Sequence, residues 1–391
     1  YISFNYDLSP YLNYDGENIL AVRVDNSKQP NARWYTGSGI YRHVWLITTD
    51  KLHIARHGVY ATTKSITKDA AVVELKTNIE NENKGSHDFQ LLSEIYNSEN
   101  QFVAKVETPV TISENGKQEI IQSITVDHPE LWSPDNPNLY IIKSVIKLKG
   151  DPIDELNTTI GIREFNFSAD TGFSLNGVSM KFQGVNNHSD LGALGAAMND
   201  RVLERRLEIL KAMGCNAIRT AHNPPSEVLL DLCDRMGFMV MDEAFDEWLE
   251  SWPFGGVKKP DGKAKYGYHL YFNEWAEKDL TELIRRDRNH PSIIIWSVGN
   301  EIPDACFEIG TERLKILMDV VRKEDPTRPI TCGITHMHLA NESGFASELD
   351  ITGYNGGGGS CFMYEKDHET YPERIFLATE VPHSFQTRGV Y

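Results

Sequence analysis

The sequence predicts β-sandwich structure followed by an incomplete (β/α)8 TIM barrel in one multidomain chain. Three observations carry this reading. The length of 391 residues admits two or three domains. Up to about residue 168, short Val-, Ile-, Thr- and aromatic-rich runs are broken by turn clusters. Beyond residue 169, short apolar runs alternate with stretches of helical period.

Residues 1–58 read as the end of a β domain, opening on the strand-like Tyr1-Ile-Ser-Phe-Asn-Tyr. Within 59–168, strands are expected at 59–63, 71–79, 89–96, 102–112, 120–126, 140–148 and 158–167, with turns at 81–86, 114–116 and 133–138. Short strands at this spacing, without helical period, predict an immunoglobulin-like sandwich. Within 169–391, strands are expected at 180–185, 217–220, 239–242, 293–297, 330–334, 349–353 and 375–379. Helices are expected between them at 200–213, 226–236, 272–288 and 307–323, with a weaker one near 361–373. Apolar strands alternating with helices imply a parallel sheet covered on both faces. Because each strand ends in polar residues, a barrel fits better than an open doubly wound sheet, whose Gly-rich phosphate turn is absent from Gly184-Val-Asn-Asn-His. An eighth strand and helix do not fit between Glu380 and Tyr391, so the last stave is expected from sequence outside this chain. With no initiator Met, the sequence reads as a piece of a longer protein, and the open barrel is expected to be unstable or inactive alone.

Apolar residues make up 40% and charged residues 24%, which is ordinary globular usage, and the net charge is −17. So acidic a chain lacks the basic face that nucleic acid or an anionic membrane requires. Its apolar runs are too short to span a bilayer. Cys215, Cys233, Cys306, Cys332 and Cys361 are odd in number and form no C-x-x-C pair, so they read as reduced thiols.

Function in parallel α/β folds gathers at the C-terminal ends of strands. Those ends carry Asn186, Asn187 and His188; Arg219 and His222; Asp242, Glu243, Asp246 and Glu247; Asn300 and Glu301; Tyr354 and Asn355; and Glu380. Glu301 closes the apolar run 293–300, and Glu380 closes 375–379. Buried strands hold both at one mouth, and two opposed carboxyls are what glycosidic bond cleavage uses. No G-x-S-x-G elbow or P-loop competes with this reading.

The sequence resembles glycoside hydrolase family 2. The resemblance rests on Arg33-Trp-Tyr-Thr-Gly-Ser-Gly-Ile-Tyr-Arg42, Pro129-Glu-Leu-Trp-Ser-Pro134, Pro137-Asn-Leu-Tyr140, Gly161-Ile-Arg163, Asn216-Ala-Ile-Arg-Thr-Ala-His-Asn-Pro-Pro225 and Asn289-His-Pro-Ser-Ile293 through Glu301. It implies a jelly-roll, sugar-binding-like domain ending in 1–58, the sandwich at 59–168 and a catalytic barrel at 169–391. It implies retaining hydrolysis of terminal β-D-galactosides, with Glu301 as acid/base and Glu380 as nucleophile. Glu301 should start protonated. Asn300 should bind the sugar 2-hydroxyl, Arg219 should pair with Glu380 and favour its ionised form, and Tyr354 should hydrogen-bond the nucleophile. His188, His222 and Asp242 are expected around the sugar. Trp248 either stacks on a sugar face or packs in the core. His290, at the entry of its strand, is assigned no catalysis. Alternatives are β-glucuronidase or another family 2 exo-glycosidase acting on polysaccharide ends, and an inactive carbohydrate-binding scaffold. The best-known β-galactosidases place magnesium on a Glu and a nearby His after strand three. Glu247 matches the Glu, but Leu249 stands in place of the His, so no cofactor is assigned and the motif supports no cation. The loop at 251–268, with Trp252, and Gly356-Gly-Gly-Gly359 are expected to shape the active face. The expected partner is a carbohydrate, with a homo-oligomer left open. The compartment is unknown from the sequence, and the resemblance implies a bacterial periplasm or cytoplasm.

Overall fold

The computed structural model describes residues 1–34, 36–251, 264–356 and 362–381. Two antiparallel sheets form the sandwich. One has the order β1 (Leu52–Ile66), β2 (Ala70–Asn81), β5 (Lys117–Asp127). The other has the order β4 (Phe102–Ile112), β3 (His87–Asn97), β6 (Tyr140–Leu148), β7 (Asp151–Ile160). The alternation seen in the sequence is the cause: every second residue of β2 is buried, and Leu75, Ile79, Leu91, Ile95 and Ile124 meet between the sheets. The sandwich starts earlier than its first expected strand, at Leu52. The expected strand at 158–167 divides into β7 and β8 (Phe165–Ser168).

Residues 1–51 depart from expectation. Apart from a 3-10 turn at Ser9–Tyr11, their described part has no regular element, and Ile19 and Leu46 are 84% and 78% exposed. Alternating apolar residues make a strand only beside another strand that takes up the backbone hydrogen bonds. The later part of this segment is nevertheless docked on the barrel. Arg42 donates to the Pro224 and Pro225 carbonyls at 2.7 and 2.8 Å, and Met198 N–H donates to Tyr41 O at 2.9 Å.

The barrel sheet contains β11 (Gly184–His188), β12 (Ala217–Ala221), β13 (Met239–Glu243), β14 (Ile293–Asn300), β15 (Ile330–Ile334), β16 (Ile351–Asn355) and β17 (Phe376–Glu380). All neighbours are parallel and follow chain order. Among the described residues this is seven staves of an incomplete TIM barrel. Helices α1 (Asp200–Ala212), α2 (Glu227–Met236), α3 (Phe272–Asp287), α4 (Glu308–Glu324), α5 (Met337–Glu342), α6 (Phe345–Glu348) and α7 (Tyr364–Thr370) connect them. Asn199 and Ser226 cap α1 and α2 through their side chains.

The first stave begins four residues later than expected, because its apolar prefix does other work. Met180 N–H bonds the Phe173 carbonyl, and Phe182 packs on Phe173. β8, β9 (Gly172–Leu175) and β10 (Val178–Ser179) form a small antiparallel sheet. Its Phe173 and Leu175 pack with Met239, Met241, Ile295 and Ile351 as an apolar floor. Chemistry is therefore confined to the opposite end of the barrel. Cys215, Cys233, Cys306 and Cys332 are free, and Cys361 lies outside the described residues. No helix among the described residues is long and apolar enough to cross a membrane.

Candidate active site

Strand alternation decides which polar residues reach the mouth. On β13, Met239 and Met241 face the floor cluster, while Val240 joins the outer cluster beneath the helices. The next inward residue is Glu243, and Asp242 faces outward. Asp242 is fully buried, bonded to Thr220 Oγ1 at 3.3 Å, and burial together with the neighbouring Asp287 drives its carboxyl well above the ordinary range. This corrects the expectation for Asp242: it lies behind the sheet and does not face the mouth.

Arg219, on β12, is the centre of the inward-facing set. Its Nε donates to Glu243 Oε2 at 2.9 Å, and Nη1 donates to Asn186 Oδ1 at 3.0 Å and Glu380 Oε2 at 2.9 Å. Nη2 donates to Asn300 Oδ1 at 2.8 Å. Burial alone would lower this guanidinium, but Glu243 and Glu380 outweigh it and raise it. Glu243 also accepts from Ser297 Oγ at 2.6 Å and pairs with His222 Nδ1 at 2.8 Å. Burial, then the Arg219 charge, lowers the His222 ring to about 3, so it is neutral, and its Nε2 lies 3.7 Å from Glu380 Oε2. His188 packs edge-on against His222, and Trp34 covers both rings.

Asn355, at the end of β16, ties Glu380 to Asn300, which immediately precedes Glu301. Its Nδ2 donates to Glu380 Oε2 at 3.2 Å and to Asn300 Oδ1 at 2.9 Å. Thr379 fixes its orientation by donating to Oδ1 at 2.7 Å. Glu301 leaves β14 with left-handed backbone, φ +50°, and its N–H bonds Gly333 O at 2.6 Å. Its carboxylate accepts from Thr335 Oγ1 at 2.5 Å and Arg33 Nη1 at 2.9 Å. Burial would raise Glu301, but the Thr335 and Arg33 bonds and the Arg33 charge hold it below its ordinary value. That environment is the reverse of the protonated start expected for it.

Glu301, Glu380, Asn300, Arg219, His222 and His188 thus converge. Tyr354 and Trp248 do not. Tyr354 is an outward residue of β16, its hydroxyl donates to Asp367 at 2.7 Å, and it packs on Tyr364. The tyrosine contact expected at the nucleophile is made here by the adjacent Asn355. Trp248 is 0% exposed, donates to Val298 O at 3.0 Å and packs on Phe272 and Phe345, so it is core. Trp252 and Gly357–Gly359 lie outside the described residues. Arg33, Trp34 and Thr335 are not singled out by the sequence, and Glu243, Asp246 and Asn355 are placed by it at strand ends without a role. Glu243 was available from strand alternation, and Asn355 from its place beside Tyr354.

Glu247 does find a histidine, although not a nearby one. Its Oε1 meets His269 Nδ1 at 3.1 Å, and its Oε2 accepts the His269 N–H. Among the described residues no third ligand joins them. Both oxygens of the Glu247 carboxylate are engaged by His269. The ligand-type clusters that do form, Asp231–Asp234–His290 and His53–Glu80–Glu82, contain none of the converging residues.

Family models match both parts of the chain. The glycosyl hydrolases family 2 model matches residues 52–163, and its TIM barrel domain model matches residues 168–352. The chain belongs to glycoside hydrolase family 2. Among family 2 relatives, it is 40% identical to the beta-galactosidase BoGH2A of Bacteroides ovatus over 100% of this chain and 48% of that protein. It is 38% identical to a putative beta-glucuronidase of Formosa agariphila over 100% of this chain and 34% of that one. The crystal structure of a family 2 member from Bacteroides cellulosilyticus matches with a TM-score of 0.88 and 40% identity over 97% of this chain and 49% of that one. The chain therefore spans half or less of these relatives' lengths.

Proposed function

We propose that the full-length protein is a retaining exo-β-glycosidase that removes terminal non-reducing β-D-galactosyl residues. The single observation that carries the mechanism is Asn355, whose amide nitrogen holds both Glu380 Oε2 and Oδ1 of Asn300, the residue immediately before Glu301. One hydrogen-bond network thus binds Glu380 to the end of the strand that carries Glu301, and the retaining class sets such a pair about 5–5.5 Å apart. In the first step a Glu380 oxygen attacks the anomeric carbon, the glycosidic C–O bond breaks, and Glu301 gives its proton to the departing oxygen. In the second step Glu301 takes a proton from water, the water oxygen bonds to the anomeric carbon, and Glu380 leaves as carboxylate. Arg219 holds the attacking oxygen, and Asn300, held by Arg219 and Asn355, presents its amide to the sugar 2-hydroxyl.

The galactoside reading is supported by the likeness to a beta-galactosidase at 40% identity. A β-glucuronide is the second reading, supported by the near-equal likeness, 38%, to a putative beta-glucuronidase. Full-length enzyme assayed in parallel on 4-nitrophenyl β-galactoside and β-glucuronide separates them. Release from the galactoside, abolished in Glu380→Gln, is the expected result. Release from the glucuronide alone replaces the sugar assignment. Release that persists in Glu380→Gln removes the nucleophile assignment, and no release from either leaves a narrower glycan or a binding scaffold.

A further inference from the structure

Arg33 lies on the N-terminal segment, outside the barrel that carries both carboxylates. Its guanidinium makes a two-point contact with Asp246, Nε to Oδ2 at 3.1 Å and Nη2 to Oδ1 at 2.5 Å. Asp246 is itself held by Asn300 Nδ2 at 2.8 Å. This anchor does not involve Glu301, and it leaves Nη1 to meet Glu301 Oε2 at 2.9 Å. The three side chains are only 15%, 12% and 14% exposed, so their interaction escapes most of the screening that weakens surface pairs.

We propose that Arg33 is a positioning residue of the reaction read above, on which this inference rests: anchored on Asp246, it biases Glu301 toward the carboxylate that receives the water proton in the second step. The groups around Glu301 agree with this. Arg33 from the N-terminal segment and Thr335 after β15 both donate to it. Asp246 and Glu243, beyond and on β13, and Glu380 at the end of β17 are the like charges; Asp246 is paired with Arg33, and Glu243 and Glu380 with Arg219. Burial opposes the carboxylate and is outweighed, which places Glu301 below its ordinary value. The same bond works against the first step, which needs the proton on Glu301. Because Asp246 fixes the guanidinium, the cation stays in place when Glu301 is protonated and acts in both steps.

The test uses the full-length protein and Arg33→Ala, Arg33→Lys and Glu301→Gln. A cation beside a carboxyl lowers it by about 1–3 pH units, so Arg33→Ala should move the alkaline limb of the kcat/KM profile up by at least about one unit. Arg33→Lys keeps the charge but not the two-point contact, and should recover part of the shift. A carbon-13 NMR titration of glutamate-labelled protein, with the Glu301 signal identified by its loss in Glu301→Gln, reads the same quantity without turnover. An upward shift in Arg33→Ala is expected. An unmoved Glu301 titration, or activity lowered equally at every pH with an unmoved limb, would overturn the proposal. Wild-type protein inactive on every glycoside would instead sink the hydrolase reading, and the titration would still decide whether Arg33 controls Glu301.

Discussion

Arg219 has carboxylate or amide partners on four other strands and is almost completely buried. Truncation to Ala would leave Glu243 charged, buried and without its cation, a change that typically destabilises by about 3–5 kcal/mol. Arg219→Lys is the sharper experiment. A single ammonium keeps the charge but cannot reach Glu243, Glu380, Asn186 and Asn300 at once. We expect Arg219→Lys to fold and to lose kcat by about 100-fold or more, the scale of losing one preorganised donor. A folded Arg219→Lys enzyme with near wild-type kcat would show that the hub is structural only. Trp248 makes the opposite case. Fully buried against Phe272 and Phe345, its replacement by Ala should cost about 3–5 kcal/mol in unfolding measurements and leave the KM of the folded fraction unchanged. A raised KM at unchanged stability would return Trp248 to the sugar face. Glu301 and Glu380 were legible in the sequence because each closes an apolar run, and such a run has one end at the mouth. Tyr354 and Asp242 were misplaced because proximity to a strand end does not say which face a side chain takes; that needs the register of the inward set Met239, Met241 and Glu243. Arg33 was not legible as a site residue, since no local period relates it to Glu301, 268 positions away.

Elements meet where small residues let them. Gly237 ends α2 with left-handed backbone, φ +72°, and a Cβ there would stand 2.2 Å from the Pro134 carbonyl oxygen of the sandwich. Gly237→Ala should therefore destabilise by more than the roughly 1–2 kcal/mol of the left-handed backbone alone, because the clash is with main chain. A neutral effect on denaturant unfolding would mean that α2 and the 133–138 turn separate easily. Gly333 on β15 is a different case: a Cβ would meet Asn355 Oδ1 at 2.7 Å and Arg219 Nη2 at 2.8 Å, both ends of side chains. Gly333→Ala should displace those two groups and lower kcat by at least about tenfold, about 1.4 kcal/mol in barrier, with a smaller change in stability. Unfolding without a change in kcat of the remaining native enzyme would contradict it. The barrel strands were legible from their continuous apolar runs. The floor hairpin β8–β10 and the short α5 and α6 were not, because runs of two to six residues carry too little periodicity to separate from a loop.

Across the whole molecule, sandwich and barrel are joined on the face away from the chemistry. Trp132 Nε1 donates to Asp234 O at 2.9 Å, Tyr60 OH donates to Asp325 at 2.7 Å, and Arg163 Nη2 donates to Ile293 O at 2.6 Å. Asp234 is central to this junction, since its carboxylate also accepts the Ser292 N–H at 3.0 Å and meets His290 Nδ1 at 2.6 Å. Burial alone would lower the His290 ring, but the Asp234 charge outweighs it and raises the ring to about 9. The folded value lies above the unfolded one of about 6.5, so the imidazolium contributes stability that is complete below about pH 6.5 and fades as pH rises toward 9. His290→Gln keeps a donor for Asp234 but cannot titrate. Wild-type full-length protein is expected to lose thermal stability between pH 6.5 and 9 relative to His290→Gln, whose melting temperature should be lower at pH 6 and approach the wild-type value at pH 9. Parallel curves for the two proteins across that window would show that His290 is neutral in the folded state and that the junction rests on Trp132, Tyr60 and Arg163 instead. Activity offers the complementary readout. Because His290 sits at the floor end of β14 and Glu301 at its mouth end, the pH–rate profile of folded His290→Gln should keep the wild-type shape while its stability profile does not.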